Sequence, residues 1–193
     1  VRRRSNAGSA HLKAYFLGLL SFLKQARQID LDLRRFEEFK NFANKIWNGA
    51  RFVFLNLEGL DAKELASGLD TSLFTLEDRW ILSVLNRTIA ELNQSLTDYT
   101  FDRAAARSYE FFWNDFCAVY VELAKPILFG KVGAPEDKKN KQKLLVILLS
   151  NAIRLMHPIA PFITEEIFSL LKVVANIKKP TQGFFDIEKS LKK

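Results

Sequence analysis

The stretch RRFEEFKNFANKIWNGARF, residues 34–52, decides the fold class. At about 100° per residue, Arg34, Glu38, Asn41, Lys45, Asn48 and Phe52 fall within about 40° of one line. Phe36, Phe39, Ala43, Ile46, Trp47, Ala50 and Phe54 fall on the opposite side. That period predicts an amphipathic helix near 33–57, stopped at Gly59, with the second set as its core face. The first set is a row of hydrogen-bonding side chains roughly 27 Å long at the 1.5 Å helical rise, with an aromatic ring at its far end. Folding does not ask for Phe52 on that side. Unpaired RNA bases do, because they stack on rings and offer their edges to Arg, Lys and Asn.

The same period recurs on both sides of this segment. Leu12, Tyr15, Phe16, Leu19, Leu20 and Leu23 predict an earlier helix near 9–28 with Ser9 as its N-cap. Gly59, Gly68 and the Asp/Ser/Thr residues of 58–74 predict a connection. Thr75 and Asp78 form a capping-box pattern that opens a helix running to about Thr97. A densely aromatic helix with Tyr109, Phe112, Trp113, Phe116 and Tyr120 is predicted from about Asp102 to Lys125, ended by Pro126. After a loop with Gly130, Gly133 and Pro135, a fifth helix spans about 137–156. A sixth begins at Pro161, with Glu165 and Glu166 in its first turn against the macrodipole. With no strand-like alternation, the fold class is all-α, an antiparallel bundle of five to six helices. The helical domain is expected over 15–175, with a leader at 1–14 and a Lys-rich extension at 176–193.

The chain has 193 residues, 48% of them apolar, and a net charge of +7. Residues 1–51 carry eleven Lys/Arg against four Asp/Glu, whereas residues 52–193 carry eighteen of each. The positive field therefore arises in the first quarter, and a polyanion is the natural partner. Arg2, Arg3, Arg4 and Lys13 supply part of it from the leader. The run KKNKQK at 138–143 is expected as a solvated loop rather than an RNA contact. Cys117, the lone cysteine, excludes an intrachain disulfide and a Cys-based metal cluster, and fits a reducing cytosol. It reads as an inert core thiol. No stretch reaches the ~20 apolar residues a membrane span needs, and no secretory cleavage pattern follows the basic start. His11 and His157 are too isolated to assemble a metal set. His157, before Pro158 at a helix end, reads as a capping or packing residue, and Glu165–Glu166 as helix-terminal charges rather than an acid/base pair.

Three stretches together carry a resemblance: NFANKIWNGARFVFLNLEG (41–59), LEDRWILSVLNRTIAELNQSLTDYTFDRAAARSYEFFWNDFCAVYVELAK (76–125) and LMHPIAPFITEEIF (155–168). Over about residues 20–172 they resemble the anticodon-binding domain of valyl-tRNA synthetase. That enzyme is a class I aminoacyl-tRNA synthetase of the valyl/isoleucyl/leucyl subgroup. The pattern N-K-x-W-N-x-x-R-F with N-L-E-G, and Y-E-F-F-W, look like the valyl branch.

The resemblance implies recognition of the valine tRNA anticodon loop by Arg34, Asn41, Lys45, Asn48, Arg51 and Phe52. Phe52 would stack one base, Lys45 and Asn48 would address edges, and Arg34 and Arg51 would hold backbone or the third anticodon base. It implies a parent valine–tRNA ligase that uses ATP and Mg to activate valine and load it onto tRNA. The His-x-Gly-His and Lys-Met-Ser-Lys-Ser signatures are absent from this sequence. The chain is therefore expected to be a fragment with no catalytic residue, metal or cofactor of its own. Its expected partners are valine tRNA isoacceptors and the parent's catalytic domain, in the cytoplasm, with neither membrane nor DNA. Two alternatives stay open: a helical protein–protein scaffold, and the same domain from an isoleucyl or leucyl enzyme.

Overall fold

Residues 33–60 and 62–174 are described by the structure, a computed structural model, with side chains over 41–60 and 63–173. The expected leader 1–14, the expected helix near 9–28 and the extension 176–193 lie outside the described residues. Within them all regular structure is helical: α1 (Leu33–Leu55), α2 (Ala62–Ala66), a 3-10 turn (Thr71–Leu73), α3 (Leu76–Thr97), α4 (101–128), α5 (Pro135–Met156) and α6 (Pro161–Val174). The all-α class is as the period required, although the six described helices include α2, which lies in the segment 58–74 expected as a connection. No helix among the described residues is long and apolar enough to cross a membrane.

Local signals account for several boundaries. Asp78 Oδ2 accepts the backbone N–H of Thr75 at 3.1 Å, the reciprocal half of the predicted capping box. Gly130, at φ +67°, gives α4 the left-handed exit that a side chain would resist. Pro135 stands in the first turn of α5, two residues before the expected start, where its missing N–H costs nothing. The sixth helix begins at Pro161 as expected, so Glu165 and Glu166, its fifth and sixth residues, lie in its second turn and not its first.

Two features of α4 depart from expectation. Residues Phe111–Tyr120 are π-helical rather than α-helical, so that the N–H of Val121 bonds back five residues to the Phe116 carbonyl. That stretch turns Phe111, Phe112, Phe116 and Tyr120 inward, each at most 1% exposed. Nor does Pro126 end the helix, which continues to Leu128. Proline forfeits one backbone N–H bond there, at an exposed position near the helix end.

The run at 138–143 is a correction of larger consequence. It is the N-terminal part of α5, and Asn140, Lys141 and Gln142 are buried. Each side chain from 139 to 143 ties down the connection between α1 and α3. Lys139 pairs with Glu64. Asn140 exchanges two hydrogen bonds with the backbone of Asp70, at 2.9 and 3.0 Å. Gln142 donates to the carbonyls of Asn56 and Glu58, and Lys143 to that of Gly68. Lys141 reaches Asp78 Oδ1 at 2.5 Å, and the Tyr120 hydroxyl donates to the same oxygen at 2.7 Å. The counter-charges lie some sixty to seventy-five residues away in sequence, which is why the run reads as solvated when taken alone.

Burial gives the core a pH signature. It pushes the Cys117 thiol from its ordinary value near 9.0 up to about 12, against a smaller opposing influence of Lys45. Burial, and then the Asp78 carboxylate, raises the Tyr120 phenol well above 10.0. Both groups stay protonated in the fold while the unfolded chain loses their protons. Their contributions are therefore intact below pH 9 and decline as pH rises, Cys117 first and Tyr120 from about pH 10, each by about 1.4 kcal/mol per pH unit. Urea denaturation between pH 8 and 11 should show this decline. In Cys117→Ser its onset should move upward by about one unit; an unmoved onset would remove Cys117 from the account.

Candidate nucleic-acid interface

Helix α1 is seated against α4, α5 and α6. Phe42, Ile46, Ala50 and Val53 are buried along it, with Leu57 just beyond its end, and Ala43, Gly49, Phe52 and Phe54 flank them half-buried. Gly49 sets the depth of that seat. A Cβ built there would meet Cys117 Sγ at 2.9 Å and Phe112 Cζ at 3.0 Å, so glycine lets α1 approach the π-helical stretch closely. The buried line is rotated by about 60° from the one expected. A helix packed on three neighbours buries a wider arc than a surface helix, and Ile46 and Val53 mark its centre.

The rotation changes which side chains are free. Asn41, Asn44, Trp47, Asn48, Arg51 and Leu55 form the outward face. Trp47, expected in the core, is 42% exposed. Phe52, expected on the open side, is half-buried against the core cluster, with Lys125 Nζ 5.8 Å from its ring centroid. Lys45 is also half-buried, its Nζ 4.0 Å from the centroid of Trp113. The backbone of Arg34 lies in the first turn of α1, but its side chain is outside the described residues.

Of the six expected contacts, Asn41, Asn48 and Arg51 thus share one exposed face, with Lys45 and Phe52 along its edge. Sequence reasoning missed Asn44 and Trp47 on that face and Trp113 beneath Lys45. A 4-3-4-4 spacing through Phe42, Ile46, Gly49, Val53 and Leu57 was the available signal.

On α4 and α5, Arg107 pairs with Glu91, Glu110 and Asp115, Lys125 with Glu122, Lys139 with Glu64 and Lys141 with Asp78. Among the described residues no carboxylate lies within ion-pair distance of Lys45 or Arg51. Their charges remain available to an anion or a carbonyl oxygen.

The remaining candidates have local roles. His157 Nδ1 sits 2.9 Å from Thr164 Oγ1, tying the end of α5 to α6 as a packing residue. Glu165 and Glu166 are exposed. Among the described residues no three His, Cys, Asp or Glu side chains converge as a metal site.

A family model described as the anticodon-binding domain of tRNA ligase matches residues 78–190. A valine–tRNA ligase of Protochlamydia amoebophila is 62% identical over 164 residues, which is 81% of this chain and 17% of the relative. Valine–tRNA ligases of Chlamydia abortus and Chlamydia felis are 50% and 52% identical, over 84% and 81% of the chain. The chain spans about 17% of the length of these curated relatives.

Proposed function

We propose, for a chain that belongs to the family of tRNA-ligase anticodon-binding domains, that it holds the anticodon loop of valine tRNA against α1. The observation that carries this is the outward face of α1, where hydrogen-bonding side chains, aromatic rings and unneutralised cations lie together. Asn41 and Asn48 can each pair with a base edge as donor and acceptor. Phe52 keeps part of its ring accessible for stacking while the core fixes the rest, so a base meets a surface already ordered. Lys45 addresses a base edge, Arg51 holds the phosphate backbone, and Arg34, whose side chain lies outside the described residues, is proposed to bind backbone or the third anticodon base.

The parent valine–tRNA ligase activates valine with ATP and Mg in its own catalytic domain, in the cytoplasm, and transfers it to tRNA. This chain contributes remote binding energy to that reaction and no chemistry of its own.

A salt titration tests the nucleic-acid reading. Affinity for valine tRNA should fall steeply with salt, and Arg51→Ala should reduce the slope of log K against log salt by about 0.7–0.9. A slope near zero would instead mark the face as a docking site for another protein.

A further inference from the structure

Lys45 is restrained in an unusual way. Its ammonium lies 4.0 Å from the centroid of the Trp113 ring, inside cation–π range. Trp113 in turn stacks on Tyr109, one helical turn earlier, with centroids 5.6 Å apart and planes 10° from parallel. Phe42 of α1 closes the group at 4.4 Å from Tyr109 and 6.5 Å from Trp113. Three rings from α1 and α4 thus build a floor beneath one lysine of α1. Trp113 belongs to the π-helical stretch, a rare conformation that often accompanies function.

The choice of an indole rather than a carboxylate matters chemically. A carboxylate would hold the ammonium and neutralise it, occupying its donors. The ring face attracts the charge while leaving hydrogen-bond donors for an oxygen or nitrogen acceptor. Lysine's long stem is otherwise flexible, and restraining it beforehand removes a cost of binding.

We propose that Trp113, backed by Tyr109, is a positioning residue for anticodon recognition: it holds the Lys45 ammonium, which has no carboxylate partner among the described residues, where a base edge arrives. This rests on the reading that Lys45 addresses a base. On that reading the Trp113 ring need not touch RNA to affect discrimination.

A mutant cycle on the 193-residue chain tests it, using a labelled valine anticodon stem-loop and an anticodon-swapped one. The variants are Lys45→Met, Trp113→Leu, Trp113→Phe and the Lys45→Met/Trp113→Leu pair, each scored per folded molecule after its melting curve is recorded. Lys45→Met and Trp113→Leu should each weaken binding of the valine stem-loop by roughly three- to thirty-fold, and the swapped one by less. The double variant should be no weaker than Lys45→Met alone, and Trp113→Phe, which keeps a ring, should recover part of the loss.

Unchanged affinity in Trp113→Leu, or losses that multiply in the double variant, would overturn the proposal. Retained affinity in Lys45→Met would overturn the base-reading role beneath it as well. Lysine methylene resonances separate the two failures: upfield ring-current shifts at Lys45 should persist in Trp113→Phe and vanish in Trp113→Leu. Shifts that vanish as expected while Lys45→Met binds normally would leave the indole holding a lysine that does not read RNA.

Discussion

Lys141→Met is expected to destabilise the bundle by about 3–5 kcal/mol, the cost of leaving a buried charge without its partner. Lys141 and Asp78 are 4% and 2% exposed, so water cannot replace the lost ammonium. Asp78 Oδ1 receives Lys141 and the Tyr120 hydroxyl together, while Oδ2 caps Thr75 at the start of α3. Removing the lysine leaves a carboxylate served only by two neutral donors. The same single change loosens the junction of α3, α4 and α5. Lys139→Ala, two positions away, is the control. Its pair with Glu64 is substantially exposed, and its loss should cost no more than about 1 kcal/mol. Urea denaturation of both variants checks the contrast; equal and small losses would mean that Lys141 is hydrated after all.

Phe112→Ala should cost a similar amount, about 3–5 kcal/mol. The ring is wholly buried, edge-on to Phe42 at 6.5 Å, and 5.6 Å from Phe116. It also meets α1 where Gly49 admits the closest approach, so its removal leaves a void between two helices that cannot easily close. Gly49→Ala alone should cost about 1–3 kcal/mol through overpacking. Combined with Phe112→Ala it should cost less than the sum, since one of the two clashing neighbours is gone. Strict additivity in thermal or urea denaturation would place the two residues out of contact.

How much of this was legible in the sequence depended on whether the deciding contacts were local. The α3 start could be read because Thr75 and Asp78 are three residues apart and act on each other. The helical character of α1 could be read from its period. Its phase could not, because Phe36, Phe39 and Trp47 pull a sequence-only wheel toward one side. The true burial line through Phe42, Ile46 and Val53 is set by the three helices α4, α5 and α6 it meets. The burial of Lys141 was hidden for the same reason, its counter-ion being 63 residues away. At the candidate site, residue types were legible and their exposure was not. Asn41, Asn48 and Arg51 emerge on one face, Phe52 and Lys45 lean on the bundle, and Trp47 joins the exposed surface. Trp113 carried no signal for its place under Lys45, since the aromatic spacing that announces it also describes an ordinary core.

The central claim is that the outward face of α1 distinguishes one anticodon from another. The direct measurement compares the affinities of a valine anticodon stem-loop and an anticodon-swapped one for the wild-type chain, Asn48→Ala and Phe52→Ala, at one salt concentration. Melting curves of all three proteins are recorded first. Wild type should prefer the valine sequence, and each variant should bind it more weakly. Loss of stacking at Phe52 should cost about 1–3 kcal/mol of binding, roughly five- to 150-fold in affinity. Asn48→Ala should narrow the preference itself, with its melting temperature nearly unchanged because the side chain is exposed. Equal affinity of the wild-type chain for the two stem-loops, or a preference that survives both substitutions undiminished, would contradict the account.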